Sequence, residues 1–231
     1  MTLNLDIRGP LIVLIADFNP AIFKTPWIAK HLFERQEGEE IPVLEASIQA
    51  GSAFFQLNFI EGVAVNVSSS RTELFALNAG PETLERVETV LLKMLEVLPH
   101  TPLSAIGCNL TYVDDAPSDE INDLFQTPEG FEAEGVLNKR QSGVQLQLAD
   151  GSVLNFSRTL STNDARYAFN FHRSETNAER YKDFVPGLIA ESLRRSEAIL
   201  NSLYRYDGHD TLEFMAGIEE RKENDVAQAA D

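Results

Sequence analysis

The side chains best suited to chemistry in this sequence stand together after a predicted strand, at His172, Arg173 and Glu175. An imidazole, a guanidinium and a carboxylate at a strand end can fix a polar ligand or move a proton. An ordinary strand-to-helix turn, with Thr176 as the N-cap of the following helix, accounts for the same residues. The sequence favours this turn, and we name no catalytic residue.

Four carboxylates within seven residues form the best candidate for a metal site. Hard cations prefer several carboxylate oxygens, but the segment lacks the glycine-containing loop of a calcium site. Its last two carboxylates fit the first turn of a helix, where the helix dipole favours anions. We therefore predict no metal there. The four residues are Asp114, Asp115, Asp119 and Glu120.

The remaining reactive groups are isolated from one another. The four histidines are not spaced as a metal pair. The single cysteine, Cys108, lies in a predicted strand, and a buried thiol is usually inert. The sequence has no G-x-S-x-G elbow, no G-x-G-x-x-G and no P-loop, so a hydrolase triad or a nucleotide has no supporting motif. We predict no cofactor, and the sequence favours a binding protein over an enzyme.

The chain of 231 residues has the composition of a globular protein, with 43% hydrophobic and 24% charged residues. No apolar run approaches the roughly 18 residues of a membrane span, and residues 1–10 lack the features of a signal peptide. A single cysteine allows no intrachain disulfide, which fits a reducing compartment. We expect a cytoplasmic protein without a membrane segment.

The formal net charge is −17, and residues 206–231 alone contribute eight acidic and two basic side chains. A surface this acidic repels phosphate backbones, which argues against direct nucleic-acid binding. Three alternatives stay open: the charge attracts a basic protein, imitates DNA, or simply keeps the protein soluble.

The hydrophobic periodicity predicts one succession of elements twice: a strand, a short helix, four strands and a long helix. Proline inside the last helix is expected to kink or split it. The first half has a strand at 11–15, a helix at 26–33, strands at 43–48, 53–60, 63–67 and 74–77, and a helix at 81–98. The second half has a strand at 103–113, a helix at 121–125, strands at 134–137, 144–148, 153–159 and 166–172, and a helix at 176–204.

The predicted fold class is α+β, with two pseudo-repeated β-α-β4-α halves that form a curved antiparallel sheet backed by helices. The halves cover residues 1–98 and 99–205, and 206–231 is an acidic, partly disordered C-terminal extension. This order of elements resembles the fold of the TATA-box-binding protein. No motif residue matches, so no DNA-contacting residue is transferred. The resemblance implies a concave sheet face, which so acidic a chain would use for another partner.

A second resemblance rests on short segments of sequence. The chain is similar to a sporadically distributed, uncharacterised bacterial protein family over roughly residues 8–204. The resemblance implies a shared scaffold and no particular reaction, and it excludes the acidic end. The matching segments are Asn19-Pro20, Ile22-Phe23 and Pro26-Trp27, the run PHTPLSAIGCN at 99–109, and YAFNFH at 167–172 before a long helix.

The leading hypothesis is a non-enzymatic, acidic protein-interaction scaffold or regulatory binding protein. Charge complementarity would favour a basic protein partner. Exposed strand edges would also allow a homodimer by edge pairing. The residues expected to contact the partner are Glu37, Glu39, Glu40, Leu212, Phe214 and Ile218.

Two alternatives belong to other classes of function. One is a small-ligand-binding or hydrolytic domain with an aromatic pocket between the sheet and the helices. The other is a DNA-mimic inhibitor, which needs acidic side chains at duplex-like spacing. The predicted pocket residues are Phe169, Phe171, His172 and Arg158, with Phe55, Phe59 and Phe156 as further lining.

Overall fold

The structure is a computed structural model that describes residues 3–36, 39, 43–49, 54–59, 62–125, 138–206 and 211. Its ten described strands form one antiparallel sheet in the order β3-β4-β5-β6-β2-β7-β10-β9-β8, with β1 paired to β7 beside this path. The strands are β1 Leu3–Leu5, β2 Ile12–Ala16, β3 Val43–Gln49, β4 Phe54–Phe59, β5 Val63–Val67, β6 Arg71–Ala76, β7 Leu103–Asp114, β8 Lys139–Gln147, β9 Val153–Ser161 and β10 Ala165–Ser174.

Five α-helices are described, and none of them is long and apolar enough to cross a membrane. A single 3-10 turn, Pro20–Ile22, precedes the first helix. The helices are α1 Thr25–Leu32, α2 Pro81–Val97, α3 Asp119–Asp123, α4 Ala178–Phe184 and α5 Leu188–Tyr204. The predicted α+β class with an antiparallel sheet is therefore confirmed.

Period-two alternation separates the two faces of the sheet, as β10 illustrates. Tyr167, Phe169 and Phe171 are buried, whereas Ala168 and Asn170 between them are half-buried. The buried side chains meet the helices: the Tyr167 ring lies 4.9 Å from that of Tyr204 in α5. Because paired residues of neighbouring strands share a face, the helices described cover one face. At β5 the opposite face is also covered, since Ala64 and Asn66 are 0% and 3% exposed. Along β7 to β10 the opposite face carries half-buried and exposed side chains, and we call this part of it the open face.

The two halves of the chain meet at the centre of the sheet, where β2 pairs with β7. Strands β6, β5, β4 and β3 follow outward from β2, and β10, β9 and β8 follow outward from β7. One hydrophobic core runs through both halves. The domain boundaries at 98 and 205 stay predictions, and the strand predicted at 134–137 lies outside the described residues.

Two local features differ from the sequence-based prediction, and a third agrees with it. Strand β1 was not predicted: three residues are too short for a periodicity. Thr176 is not the N-cap of the last helix, because the Asn177 side chain accepts the Glu179 N–H and Thr176 precedes it. Pro186 splits that helix as expected, and Gly187 between α4 and α5 adopts a left-handed backbone with φ +78°.

A carboxylate links the long helices of the two halves. Glu88 of α2 accepts the backbone N–H of Gly187 at 2.8 Å and of Ile189 at 2.6 Å. These donors belong to the first turn of α5, where no intrahelical acceptor exists. Glu88 thus serves as the cap that α5 lacks in its own sequence, since Gly187 has no side chain to do so.

Substitution Glu88→Ala is expected to lower the free energy of unfolding by about 1–2 kcal/mol, because two backbone donors lose their acceptor. Urea denaturation followed by circular dichroism measures this. Glu85→Ala, an exposed position on the same helix, is the matched control and should stay within about 0.5 kcal/mol of the parent. Equal losses for both variants would contradict the capping role.

Candidate functional site

A row of side-chain amides crosses four strands on the open face. Gln145 of β8 pairs with Asn155 of β9, Asn155 with Asn170 of β10, and Asn170 with Asn109 of β7. Paired positions share a face, so the four side chains form one line perpendicular to the strands. We call Gln145, Asn155, Asn170 and Asn109 the amide row.

Hydrogen bonds connect the amide row in one direction. Gln145 Nε2 donates to Asn155 Oδ1 at 2.8 Å, and Asn155 Nδ2 donates to Asn170 Oδ1 at 3.1 Å. Asn170 Nδ2 donates to Asn109 Oδ1 at 2.8 Å, and Asn109 Nδ2 to the Pro10 carbonyl at 3.2 Å. The amides thus hold one another in position and point their dipoles the same way.

Two neighbours support the middle of the amide row. His172 Nδ1 lies 3.1 Å from Asn155 Nδ2 and 3.2 Å from Asn170 Oδ1. Gly107 leaves room for Asn170, since a Cβ at 107 would stand 3.0 Å from Asn170 Nδ2. Beside the row, Thr111 and Ser157 help line an open trough of about 240 Å³.

A second concavity, the end cleft, lies on the helix side of the sheet. Its volume is about 220 Å³. The β8–β9 turn, the end of β10 and the start of α5 enclose it, and both apolar and charged side chains line it. Its lining includes Ile106, Asp150, Phe171, Arg173, Phe184, Leu188, Glu191 and Arg195.

The predicted pocket residues fall in different places. Phe171 and His172 line the end cleft, although the His172 imidazole is engaged by the amide row. Phe169 is 1% exposed and lies inside the core. Arg158 pairs with Tyr167, five residues along β10 from His172, or about 17 Å away. The structure therefore brings Phe171 and His172 to the end cleft, and Phe156 and Phe169 contribute to the lining of the trough beside the amide row, whereas Arg158 lines neither.

Arg158 belongs to an aromatic cluster at the far end of the sheet. Its guanidinium lies 4.9 Å from the Phe125 ring centroid and 5.6 Å from that of Tyr204. It also donates to Tyr204 Oη at 3.1 Å and to Ser142 Oγ at 2.8 Å. Of the further lining, Phe156 packs 4.7 Å from Phe169. The side chains of 55 and 59 lie outside the described part.

Of the residues predicted to bind a partner, Glu39 is the one that belongs to the described part of the chain. Glu37, Glu40, Leu212, Phe214 and Ile218 lie outside the described residues. Glu39 is exposed, and its carboxylate accepts the backbone N–H of Gln36 at 2.9 Å.

The groups considered for chemistry have structural contacts. Glu175 accepts the N–H groups of Thr176 and Asn177 at 2.9 and 3.0 Å, away from the His172 imidazole. Asp114 is buried and accepts the Tyr206 hydroxyl, whereas Glu120 pairs with Arg205 at 2.7 Å. Within the described residues no group of three histidine, cysteine or acidic side chains could hold a metal. Burial raises the pKa of Cys108 to about 12, so its thiol stays protonated.

The amide row was missed at the level of sequence. Asparagine and glutamine at alternate strand positions were visible, but a row appears only when the register of four strands is known. Comparison of the chain with models of protein families, with curated proteins and with solved structures found no match. The resemblances stated from the sequence therefore stay predictions, and the geometry of the amide row and the end cleft carries the functional argument.

Proposed function

We propose that this protein is a non-enzymatic binding protein and that a protein partner docks on the open face of its sheet. The observation that carries the proposal is the amide row. Its members are held by mutual hydrogen bonds before any partner arrives, so little side-chain freedom is lost on binding. The amides at the two ends of the row, Gln145 and Asn109, each keep a second hydrogen and a carbonyl lone pair. In the middle, His172 Nδ1 engages either the second hydrogen of Asn155 or the second lone pair of Asn170. The row can therefore bond to the backbone or polar side chains of a partner.

Net charge supports the choice of partner. A charge of −17 favours encounter with a basic protein and disfavours nucleic acid. The amide row itself is uncharged, so long-range attraction and short-range recognition would come from different parts of the molecule. Rates of association would then fall as salt rises, while the contacts at the row would be less sensitive to salt.

The order of the strands supports two finer proposals. The mirrored succession outward from β2 and β7 agrees with two pseudo-repeated halves, and the normal twist of strands would curve a sheet of this width.

The second finer proposal is a homodimer formed through the edge strand β8. In the described chain β8 pairs only with β9, and it exposes Val144 by 55% and Leu146 by 46%, which favours edge pairing.

The DNA-mimic alternative has less support. A mimic needs carboxylates free to replace phosphates. Several described carboxylates face arginine instead: Asp6 pairs with Arg166 at 3.5 Å and Glu73 with Arg71 at 3.0 Å.

The double variant Asn155→Ala/Asn170→Ala tests the partner site. Affinity capture from the native host's lysate at low and moderate salt would identify the partner, and titration would then measure its Kd. We expect the variant to weaken binding by about tenfold to a hundredfold, since two polar contacts are lost. Asn163→Ala, an exposed asparagine in the β9–β10 turn, is the matched control, and thermal melting verifies that both variants fold.

Undiminished binding by the double variant would contradict the proposal. Deletion of 212–231 distinguishes the amide row from the C-terminal segment that the sequence predicts as a binding surface. If this deletion abolishes binding while the Asn155→Ala/Asn170→Ala variant binds like the parent, the partner site lies in the acidic C-terminal segment.

A further inference from the structure

The end cleft combines an apolar interior with a line of alternating charges. Ile106, Phe171 and Leu188 provide apolar walls. At the rim, Arg173 Nη2 donates to the Asp150 carbonyl at 2.8 Å. Arg195 follows, with Nη1 2.9 Å from Asp150 Oδ2. The sequence places these residues far apart, and the β8–β9 turn and α5 bring them together.

The Arg173 guanidinium at the rim has N–H donors that can form hydrogen bonds with a ligand. A guanidinium has five N–H donors. Arg173 Nη2 donates to the Asp150 carbonyl and lies 3.8 Å from Asp150 Oδ2, and the described contacts give no hydrogen bond from Nε or Nη1. The Phe184 ring lies under this guanidinium, with Cζ 4.5 Å from the ring centroid, a contact that uses none of the N–H donors in a hydrogen bond. Arg173 is therefore placed to accept a carboxylate in a bidentate manner.

The acidic side of the rim stays charged at neutral pH. Burial would raise the pKa of Asp150, but hydrogen bonds from Ser152 and the guanidinium of Arg195 hold it at about 2. Glu191 completes the line: its Oε1 lies 2.7 Å from Arg195 Nε, and its Oε2 accepts a hydrogen bond from Arg194. The Oδ1 atom of Asp150 already accepts the N–H and the hydroxyl of Ser152. A carboxylate oxygen has two lone pairs, so Asp150 Oδ2 and the two oxygens of Glu191 each keep one for an ammonium group a few ångströms from the arginines.

The balance of charge and volume selects the class of ligand. The side chains that line the cleft include two arginines and two carboxylates, so a simple anion or cation meets repulsion as well as attraction. A zwitterion matches both signs. The volume of about 220 Å³ is smaller than drug-sized pockets and corresponds to about seven waters. This space suits an ammonium, a carboxylate and one medium-sized apolar side chain.

We propose that the end cleft binds a free apolar α-amino acid. The carboxylate lies on Arg173, the ammonium lies between Asp150 and Glu191, and the side chain packs against Phe171 and Leu188. This site lies on the opposite face of the sheet from the amide row, so the inference does not depend on the proposed function.

Isothermal titration of the full chain with L-phenylalanine and L-leucine tests the inference. We expect saturable binding that weakens by about tenfold or more when the probe loses one charge, as in N-acetyl-phenylalanine and phenylalanine amide. Arg173→Gln should weaken binding of L-phenylalanine by a similar factor. Arg180→Gln, an exposed arginine of α4 paired with Glu175, is the matched control and should bind like the parent.

Three results would overturn the inference: no saturable binding of either amino acid, equal binding of the probes that lack one charge, or equal binding by Arg173→Gln. Chemical-shift changes on titration, followed by NMR, give a second measurement that does not depend on the heat of binding. Thermal melting verifies that Arg173→Gln is folded. Tight binding of an N-acetylated or amidated peptide end instead of the free amino acid would replace the proposed ligand by a chain terminus.

Discussion

Truncation of the chain after Arg205 is expected to lower the free energy of unfolding by about 2–5 kcal/mol, because two buried carboxylates each lose one hydrogen-bond donor. Tyr206 and Thr211 are 4% and 7% exposed. The Tyr206 hydroxyl donates to Asp114 Oδ2 at 2.6 Å, and the Thr211 N–H donates to Glu197 Oε1 at 3.0 Å.

The carboxylates concerned have little access to water. Asp114 is 2% exposed and Glu197 is 4% exposed. Burial raises the pKa of Tyr206 far above its usual range, so its hydroxyl keeps the proton that it donates to Asp114. Each carboxyl group keeps one further donor, the Ala116 N–H on Asp114 and the Tyr112 hydroxyl on Glu197. Loss of a second donor from a polar group buried this deeply is still costly, which is why the first residues after 205 should matter to stability.

Urea denaturation of three chains measures this effect. Truncation after Thr211 keeps both contacts and should change the unfolding free energy by less than about 1 kcal/mol. Tyr206→Phe removes one hydroxyl and should cost about 1–3 kcal/mol, which keeps the test informative if the shorter truncation does not fold. A truncation after Arg205 as stable as the parent would show that the two contacts contribute nothing.

The sequence predicted the strands well because their signal is local. Alternation along 103–113 and 166–172 reports burial of one face, and β7 and β10 lie there. What alternation cannot report is the pairing between strands. Strand β1 is recognisable only through its pairing with β7, and the position of the N-cap at Asn177 depended on a single hydrogen bond.

The candidate sites were less predictable, for the same reason. Phe171 and His172 are adjacent in sequence, yet the alternation sends the phenylalanine to the core and the imidazole to the amide row. Arg158 was expected beside them, but its register with Tyr167 moves it to the other end of the sheet. Asp150 and Arg195 meet only because a turn and a helix pack together. Such sites are set by tertiary contacts that no local pattern contains.

The second large effect is expected for Phe169→Ala, which should lower the free energy of unfolding by about 3–5 kcal/mol, the usual range for a buried phenylalanine. Phe169 is 1% exposed. Its ring centroid lies 4.7 Å from that of Phe156, 6.0 Å from that of Tyr112 and 6.2 Å from that of Phe171. Removal of the ring leaves a cavity between β7, β9 and β10 that these neighbours cannot fill.

Urea denaturation compares this variant with Thr111→Ala, a half-buried position on the open face, which should cost less than about 1 kcal/mol.

The size of the loss for Phe169→Ala also tests whether this ring lines a ligand pocket. A phenylalanine that lines a ligand pocket faces empty space, so its truncation would cost little stability and would enlarge the pocket. A loss of stability below about 1 kcal/mol for Phe169→Ala would therefore favour the aromatic-pocket hypothesis. The expected loss of about 3–5 kcal/mol assigns this ring to the core. In that case the end cleft is the cavity between sheet and helices that a small ligand would enter.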